Sequence, residues 1–376
     1  AEHLAKRGHK VFVGCYRKAG APEEEIRNGV RIIRTWTMPD IPVHKRMSER
    51  ILIYLKWLNP FYHLPAASIK DRTEAIYTSS CRVIAEQKID IVICVHLPCE
   101  TLQVGGRLKK KFPELQICAY QLDTLSGGNL PKLLPASYAR WRRIIWERRL
   151  LLPMDRIILM NASREHHERY TLNEDWYKKA VYSDVPLFIP QTASECYTKK
   201  TNCVHMLFAG TMADEIRTPY HMLMVLSNLT RYQVQLTIAG ANQCALEYSE
   251  GTGSLEVTEL GLIDHEKVIK LLKKSDFLLS IGAKNTALPS GKIFEYMAFG
   301  KPIIATYWAQ SDVSLPYLKK YPMTLTLSEM GVDLDEQVAA VENFFDCFLG
   351  KQTDPRALKK LFWENTPEAF EMLMAG

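Results

Sequence analysis

Short apolar runs alternate with longer amphipathic stretches along almost the whole chain. Runs such as IVICV at 91–95, QICAY at 116–120 and FLLS at 277–280 read as buried strands, and the stretches between them repeat apolar positions at helical spacing. In the front half this pattern predicts strands at 11–15, 30–35, 89–95, 116–120 and 156–160, with helices at 42–57, 69–87, 101–111, 138–151 and 163–170. In the back half it predicts strands at 204–209, 235–239, 277–280 and 302–305, with weaker candidates at 255–259 and 323–327. The helices there fall at 219–230, 265–274, 291–299, 334–349 and 355–375. Such alternation predicts an α/β architecture of parallel sheets wrapped by helices, with ligands beyond the carboxyl ends of the strands.

Residues 182–202 carry two prolines with Ser, Thr and Asn and little periodicity, and form the predicted linker. A chain of 376 residues suits two domains, placed at 1–190 and 191–355, with a terminal helix over 356–376 returning toward the first. The opening AEHLAKRGHKVFVGCY reads as the end of an amphipathic helix, a stop at Gly8 and a strand. With 47% hydrophobic and 24% charged residues the composition is that of a globular protein with a sizeable core. No uninterrupted apolar run reaches transmembrane length. Nine cysteines are scattered without a C-x-x-C pair, which points to a reduced, cytoplasmic protein and away from a zinc site. Charge divides by half: residues 1–190 hold 31 Lys and Arg against 20 Asp and Glu, +11, and the remainder 17 against 22, −5. A basic front half suggests an anionic partner. No zinc-finger, RNP or helix-turn-helix motif supports nucleic acid, which leaves an acidic membrane leaflet.

The most telling segment is LPSGKIFEYMAFGKPIIA at 288–305. A polar loop opens a helix whose first turn carries Ser290, Gly291 and Lys292. The unpaired amides of such a turn seat phosphate, Gly291 permits close approach, and Lys292 adds a positive charge. Glu295, one turn deeper, offers two acceptor oxygens to a pair of sugar hydroxyls. Together these features suggest a nucleotide diphosphate-sugar. The same residues also fit a capped helix with a solvated Glu–Lys face.

This segment resembles the signature helix of GT-B glycosyltransferases, in particular the retaining family-4-type group (glycosyl transferases group 1), with its K-x-x-E-Y-x-A-x-G-K-P pattern. The resemblance implies two Rossmann-like domains whose parallel sheets face a central cleft. It assigns Glu295 to the donor ribose, and the helix start with Lys292 to the diphosphate. It also implies a first strand before the opening helix, so the sequence is expected to begin inside the fold. One departure is Ala287, where the wider family often has a Glu that contacts the donor sugar.

LFAGTMADEIRTPYHML places Gly210 and Thr211 at a turn after a strand and Arg217 before a helix, where a guanidinium can clamp a diphosphate. It resembles the family's segment for the leaving diphosphate, except that Tyr220 and His221 stand near the family's usual Lys. Gly240 in LTIAGAN resembles the next turn near the donor, and the main chain at Leu262 and Ile263 resembles the contact with the base. Asp264 is read as a helix cap. Asp333-Leu334-Asp335 has the D-x-D spacing of another glycosyltransferase fold, but it opens a helix, where acids suit the dipole, so no metal is expected.

In the front half His96 and Asp123 follow strands at their carboxyl ends, where Asp123 can orient or deprotonate an acceptor hydroxyl and His96 can supply a second polar group. Both positions equally fit structural roles. The family often has a His-Asp pair here, and this chain has Leu122-Asp123. Ser126-Gly127-Gly128-Asn129 reads as an acceptor loop or a tight connection. Two segments join cations to aromatics: Lys45, Arg46, Arg50 and Lys56 with Tyr54, Trp57 and Phe61, and Arg140, Arg142, Arg143, Arg148 and Arg149 with Trp141 and Trp146. They fit an anionic membrane surface or buried helices with snorkelling basic edges.

The expectation is therefore a metal-independent, cofactor-free retaining glycosyltransferase that moves a sugar from a nucleotide-sugar to a saccharide or lipid-linked acceptor hydroxyl. Its setting would be bacterial cell-surface polysaccharide or glycolipid synthesis, at the inner face of the membrane. The alternative is a catalytically silent GT-B protein that partners an active transferase.

Overall fold

Strands buried on both faces need helices on both sides, and the computed structural model supplies them in two units, Ala1–Asp184 with Ala375, and Val185–Met374. Residues 1–18, 20–37, 47–66, 68–127, 131, 133–191, 202–244, 253–284, 289–331 and 333–375 are described.

The first unit opens with α1 (Glu2–Lys6), β1 (Val11–Arg17), β2 (Glu24–Arg27) and β3 (Val30–Thr37). β3 pairs parallel with β1 and antiparallel with β2. Then come α2 (Met47–Leu58), α3 (Lys70–Gln87), β4 (Ile91–His96), α4 (Glu100–Lys111) and β5 (Gln116–Gln121). α5 (Ala136–Leu151), β6 (Arg156–Met160), α6 (Arg164–Tyr170) and β7 (Ala180–Ser183) complete the unit. β4 to β7 form a parallel sheet in chain order, packed through Ile117, Ile157 and Leu159 against Leu102, Leu108 and Leu151. The structure adds β2 and β7, short strands that the apolar pattern did not mark. Of the helix expected at 42–57, residues 42–46 lie outside the described residues, with Lys45 and Arg46 among them.

The second unit contains β8 (Cys203–Ala209), α7 (Tyr220–Ser227), β9 (Gln233–Ala239), β10 (Leu255–Gly261), α8 (His265–Lys274) and β11 (Phe277–Ser280). It continues with α9 (Gly291–Ala298), β12 (Ile303–Tyr307), α10 (Leu315–Lys320), β13 (Thr324–Ser328) and α11 (Leu334–Phe348). All six strands are parallel, in the order β10-β9-β8-β11-β12-β13. That is the doubly wound order, whose direction reverses between β8 and β11, the place where such sheets take ligands. The single helix expected over 355–375 is two, α12 (Pro355–Leu361) and α13 (Pro367–Ala375). Pro367 cannot continue a helix from the preceding turn, because it lacks the amide hydrogen and crowds the carbonyl behind it. Only part of the expected linker, 192–201, lies outside the described residues.

Two expectations about charge change here. Arg142 is wholly buried in α5. Its guanidinium donates to the carbonyls of Trp57, Asn59, Pro60 and Tyr62 at 2.7–3.3 Å, and more distantly to that of Lys56. These are the orphan acceptors of the last turn of α2 and the bend after it, and a cation at a helix carboxyl end satisfies both their hydrogen bonding and the dipole. Arg148 is held by Glu174, with Nη2 2.7 Å from Oε1. α5 is thus packed through the buried Arg142, while Arg148 stays exposed in its pair with Glu174. Among the described residues α2 exposes Met47, Ile51, Leu55 and Leu58 along one helical stripe that leads to Phe61, 81% exposed. Among the described residues no helix is long and apolar enough to cross a membrane.

Candidate functional site

At the switch point of the second unit, three chain segments converge. The first leaves β8 at Gly210. Its turn closes on itself through the amide of Arg217, which donates to Ala213 O at 2.7 Å. Arg217 is thereby folded back over the strand end, with Nη1 3.4 Å from Thr211 O. Its Nε is buried without a hydrogen-bond partner. Burial lowers the Arg217 pKa from its usual value, while Tyr296 and Asp312 act in the opposite direction. A half-buried guanidinium whose Nε has no partner among the described residues suits an anion.

The second segment is the start of α9. Ser290 occupies the N-cap position but makes no side-chain capping bond. Its amide points to Ser314 Oγ at 3.4 Å, and the amide of Ser314 donates to Asp312 Oδ1 at 2.8 Å, so the turn after β12 braces the helix start. Among the described residues the amides of Gly291 and Lys292 have no acceptor. The space beside Gly291 belongs to Leu187, whose Cδ1 a Cβ would meet at 2.9 Å. Lys292 Nζ lies 2.6 Å from Glu295 Oε2, and His265 Nε2 from α8 lies 3.4 Å from Oε1. Glu295 is thus a mostly buried carboxylate held between two nitrogen donors.

Tyr296 ties the first two segments together. Its hydroxyl accepts from the amide of Ala209 at 2.7 Å and donates to Ala209 O at 3.3 Å. The signal for it in sequence was a Tyr on the apolar face of a helix, since a buried phenol needs a partner. The partner, 87 residues away, left no trace.

The third segment carries Gly240 and the end of β10. Gly240 sits at φ +142°, and a Cβ there would fall 1.8 Å from Gly210 O, so the two turns meet backbone to backbone. No other residue fits. Gly240 donates to Gly261 O at 2.8 Å, which fixes the approach to Leu262 and Ile263. Leu262 is largely exposed. Asp264 stands at the N-cap of α8 without a side-chain capping bond, whereas Asp333 does cap α11, accepting from the amide of Asp335 at 2.8 Å. Lys284 joins the group unannounced by the sequence, with its Nζ donating to Asp214 O at 2.7 Å. Ala287 lies outside the described residues.

In the first unit His96 and Asp123 meet at the carboxyl ends of β4 and β5. The ring of His96 is buried, and Nδ1 lies 3.0 Å from the backbone oxygen of Asp123. A carbonyl only accepts, so Nδ1 carries the hydrogen and Nε2 keeps its lone pair. Burial lowers the His96 pKa, which favours this neutral form. The Asp123 carboxylate accepts from the amide of Thr124 at 2.8 Å. Beyond it Ser126 Oγ donates to Glu147 Oε2 at 2.6 Å and lies 2.9 Å from His166 Nε2. Gly128 and Asn129 lie outside the described residues.

Glu147 is completely buried, and its pKa is pushed up to about 7 by that burial, against the opposing hydrogen bonds from Ser126. The folded protein therefore holds a proton that the unfolded chain releases above the ordinary carboxyl value of 4.5. Its stabilising contribution is complete below the unfolded pKa and is lost as pH rises through the folded one. The cost of Glu147→Gln relative to wild type is accordingly expected to shrink between pH 4.5 and 7, by up to about 1.4 kcal/mol per pH unit. Urea unfolding at both ends of that range measures the difference, and parallel pH profiles for the two proteins would refute it.

No protein-family model matches the chain, and no curated protein matches it in sequence. Among solved structures it is similar to an alpha,alpha-trehalose-phosphate synthase (UDP-forming) from Burkholderia xenovorans in complex with glucose-6-phosphate. That likeness has TM-score 0.56 and 10% identity, and covers 100% of this chain and 96% of that one. It is also similar to HepE from Anabaena in complex with UDP and glucose, with TM-score 0.51, 11% identity and 81% of each chain covered. At such identities the likeness speaks to fold, and the fold is GT-B: α/β, built of two Rossmann-like units.

Proposed function

We propose that the chain is a glycosyltransferase that moves a sugar from a nucleotide diphosphate-sugar to an acceptor hydroxyl with retention, without a metal or other cofactor. The observation that carries this reading is the convergence at the switch point of the second unit: Lys292 and two amides without an acceptor among the described residues at the start of α9, Arg217 with a buried Nε that has no partner among them, and Glu295 one turn deeper. Cations and amides suit a diphosphate, and a carboxylate at that depth suits ribose hydroxyls. Two proteins of the same fold were crystallised with glucose-6-phosphate, or with UDP and glucose, which agrees with a nucleotide-sugar donor and a saccharide acceptor.

In this reading the bond between the anomeric carbon and the diphosphate breaks while negative charge grows on the departing phosphate. Arg217, Lys292 and the helix amides stabilise that charge. We assign the acceptor to the first unit, where His96 Nε2 is a free proton acceptor and Asp123 a second polar group. A lipid-linked acceptor in cell-surface polysaccharide or glycolipid synthesis, reached from the cytoplasmic face of an anionic membrane, fits the net +11 of residues 1–190 and the apolar stripe of α2.

The test is incubation of the full chain with a panel of nucleotide-sugars, following release of nucleoside diphosphate. Turnover with at least one donor is expected. Donor binding without turnover on any acceptor would favour the silent partner, and no binding at all would overturn the reading. Arg217→Gln and Lys292→Gln are each expected to lower kcat more than they raise the donor KM, because charge on the leaving group peaks in the transition state. A variant with normal kcat and a raised KM for the acceptor alone would remove that residue from the donor site.

A further inference from the structure

The first unit contains a cavity of about 630 Å³ that none of the residues discussed as donor or acceptor groups lines. Its walls are the segment after α2, the first turns of α3, one face of α4 and the end of α5. The apolar surface within reach comes from Tyr62, Leu64 and Pro153, over the buried Leu102 and Leu150. Gly106 also lines it, and a side chain there would begin in van der Waals contact with Pro153, at 3.4 Å. Five cations share this lining, Lys56, Lys70, Arg107, Lys110 and Arg149, against one carboxylate, Glu74.

The cations are not equivalent. Arg107 is neutralised by a two-pronged pair with Glu74, at 2.7 and 3.1 Å. Lys56 Nζ lies 5.3 Å from the centre of the Tyr62 ring. Lys70, Lys110 and Arg149 are exposed and form no ion pair with any described residue. An apolar pocket of this size, rimmed by five cations against the one carboxylate Glu74, which Arg107 holds and Lys70 also acts on, has the chemistry of one kind of occupant.

We propose that this cavity binds a single-chain anionic amphiphile, its hydrocarbon chain against Tyr62, Leu64 and Pro153 and its phosphate or carboxylate head at Lys70, Lys110 and Arg149. The volume suits one chain and is small for a two-chain lipid. The charge balance selects an acidic head over a zwitterionic or neutral one. The site stands apart from the glycosyl-transfer reading, and either can fail without the other.

Calorimetric titration of the full chain with lysophosphatidic acid, palmitate, lysophosphatidylcholine and inorganic phosphate, each amphiphile below its micelle concentration, tests the proposal. Saturable one-to-one binding of the two anionic amphiphiles is expected, at least about 10-fold tighter than of the zwitterionic one. Preference between the first two tells a phosphate from a carboxylate head. Replacing Lys70, Lys110 and Arg149 together by Gln is expected to weaken binding by roughly 100-fold. Gly106→Leu, which fills the cavity from a helical position, is expected to abolish it with the melting temperature kept. Binding of inorganic phosphate as tight as of the amphiphiles, equal binding of the zwitterionic amphiphile, or unchanged affinity in both variants would overturn the proposal.

Discussion

Glu295→Ala is expected to bind nucleoside diphosphates about 10- to 150-fold more weakly than wild type, with transfer largely abolished and the fold intact. That range corresponds to the loss of charge-assisted hydrogen bonds to a pair of hydroxyls, about 1.5–3 kcal/mol. The geometry adds a sharper test. Glu295 holds Lys292 at 2.6 Å and lies 3.4 Å from His265, so its removal leaves both nitrogens without their carboxylate. Affinity for inorganic diphosphate should therefore hold or rise in the same variant. Calorimetry with the two ligands side by side separates the roles. Equal losses for both would mean that Glu295 shapes the seat and does not touch ribose, and unchanged affinity for every nucleotide would remove it from the site.

Arg142→Met is expected to destabilise the first unit by roughly 3–5 kcal/mol, since it removes a wholly buried guanidinium that ties together several carbonyls at the end of α2. Arg142→Lys should recover little, because one ammonium cannot span acceptors spread over Trp57 to Tyr62 as a planar fork does. Urea unfolding followed by tryptophan fluorescence is the measurement, since Trp57 and Trp146 stack edge to face beside this contact at 4.5 Å. Wild-type stability in the methionine variant would mean that α2 carries its own carboxyl end. Nucleotide binding by the second unit should survive either substitution wherever the chain remains folded.

The second unit was the more legible of the two. Its strands are covered on both faces, so FLLS and PIIA stand out as apolar runs, and a doubly wound sheet followed from their alternation with helices. β2, with the sequence EEIR, and β7, with AVYS, are short, and no apolar run marks them. α5 left two readings open for a different reason. Its buried positions include Arg142 and Glu147, so its pattern is not amphipathic in the ordinary sense, and its cations fit either a charged surface or a packed helix with basic edges. At the site, Lys292 and Glu295 were legible because three residues of helix bring them together. Tyr296 with Ala209, and Ser126 with Glu147 and His166, are joined only by the fold. Residues that interact across 21 to 87 positions leave nothing periodic to read.

The paired hydrogen bonds of Tyr296 at Ala209 have a kinetic meaning. They tie α9 to the end of β8, so the proposed phosphate seat would exist before a ligand arrives and little disorder would be lost on capture. Nucleotide ligands of different affinity should then arrive at similar rates and differ in how long they stay.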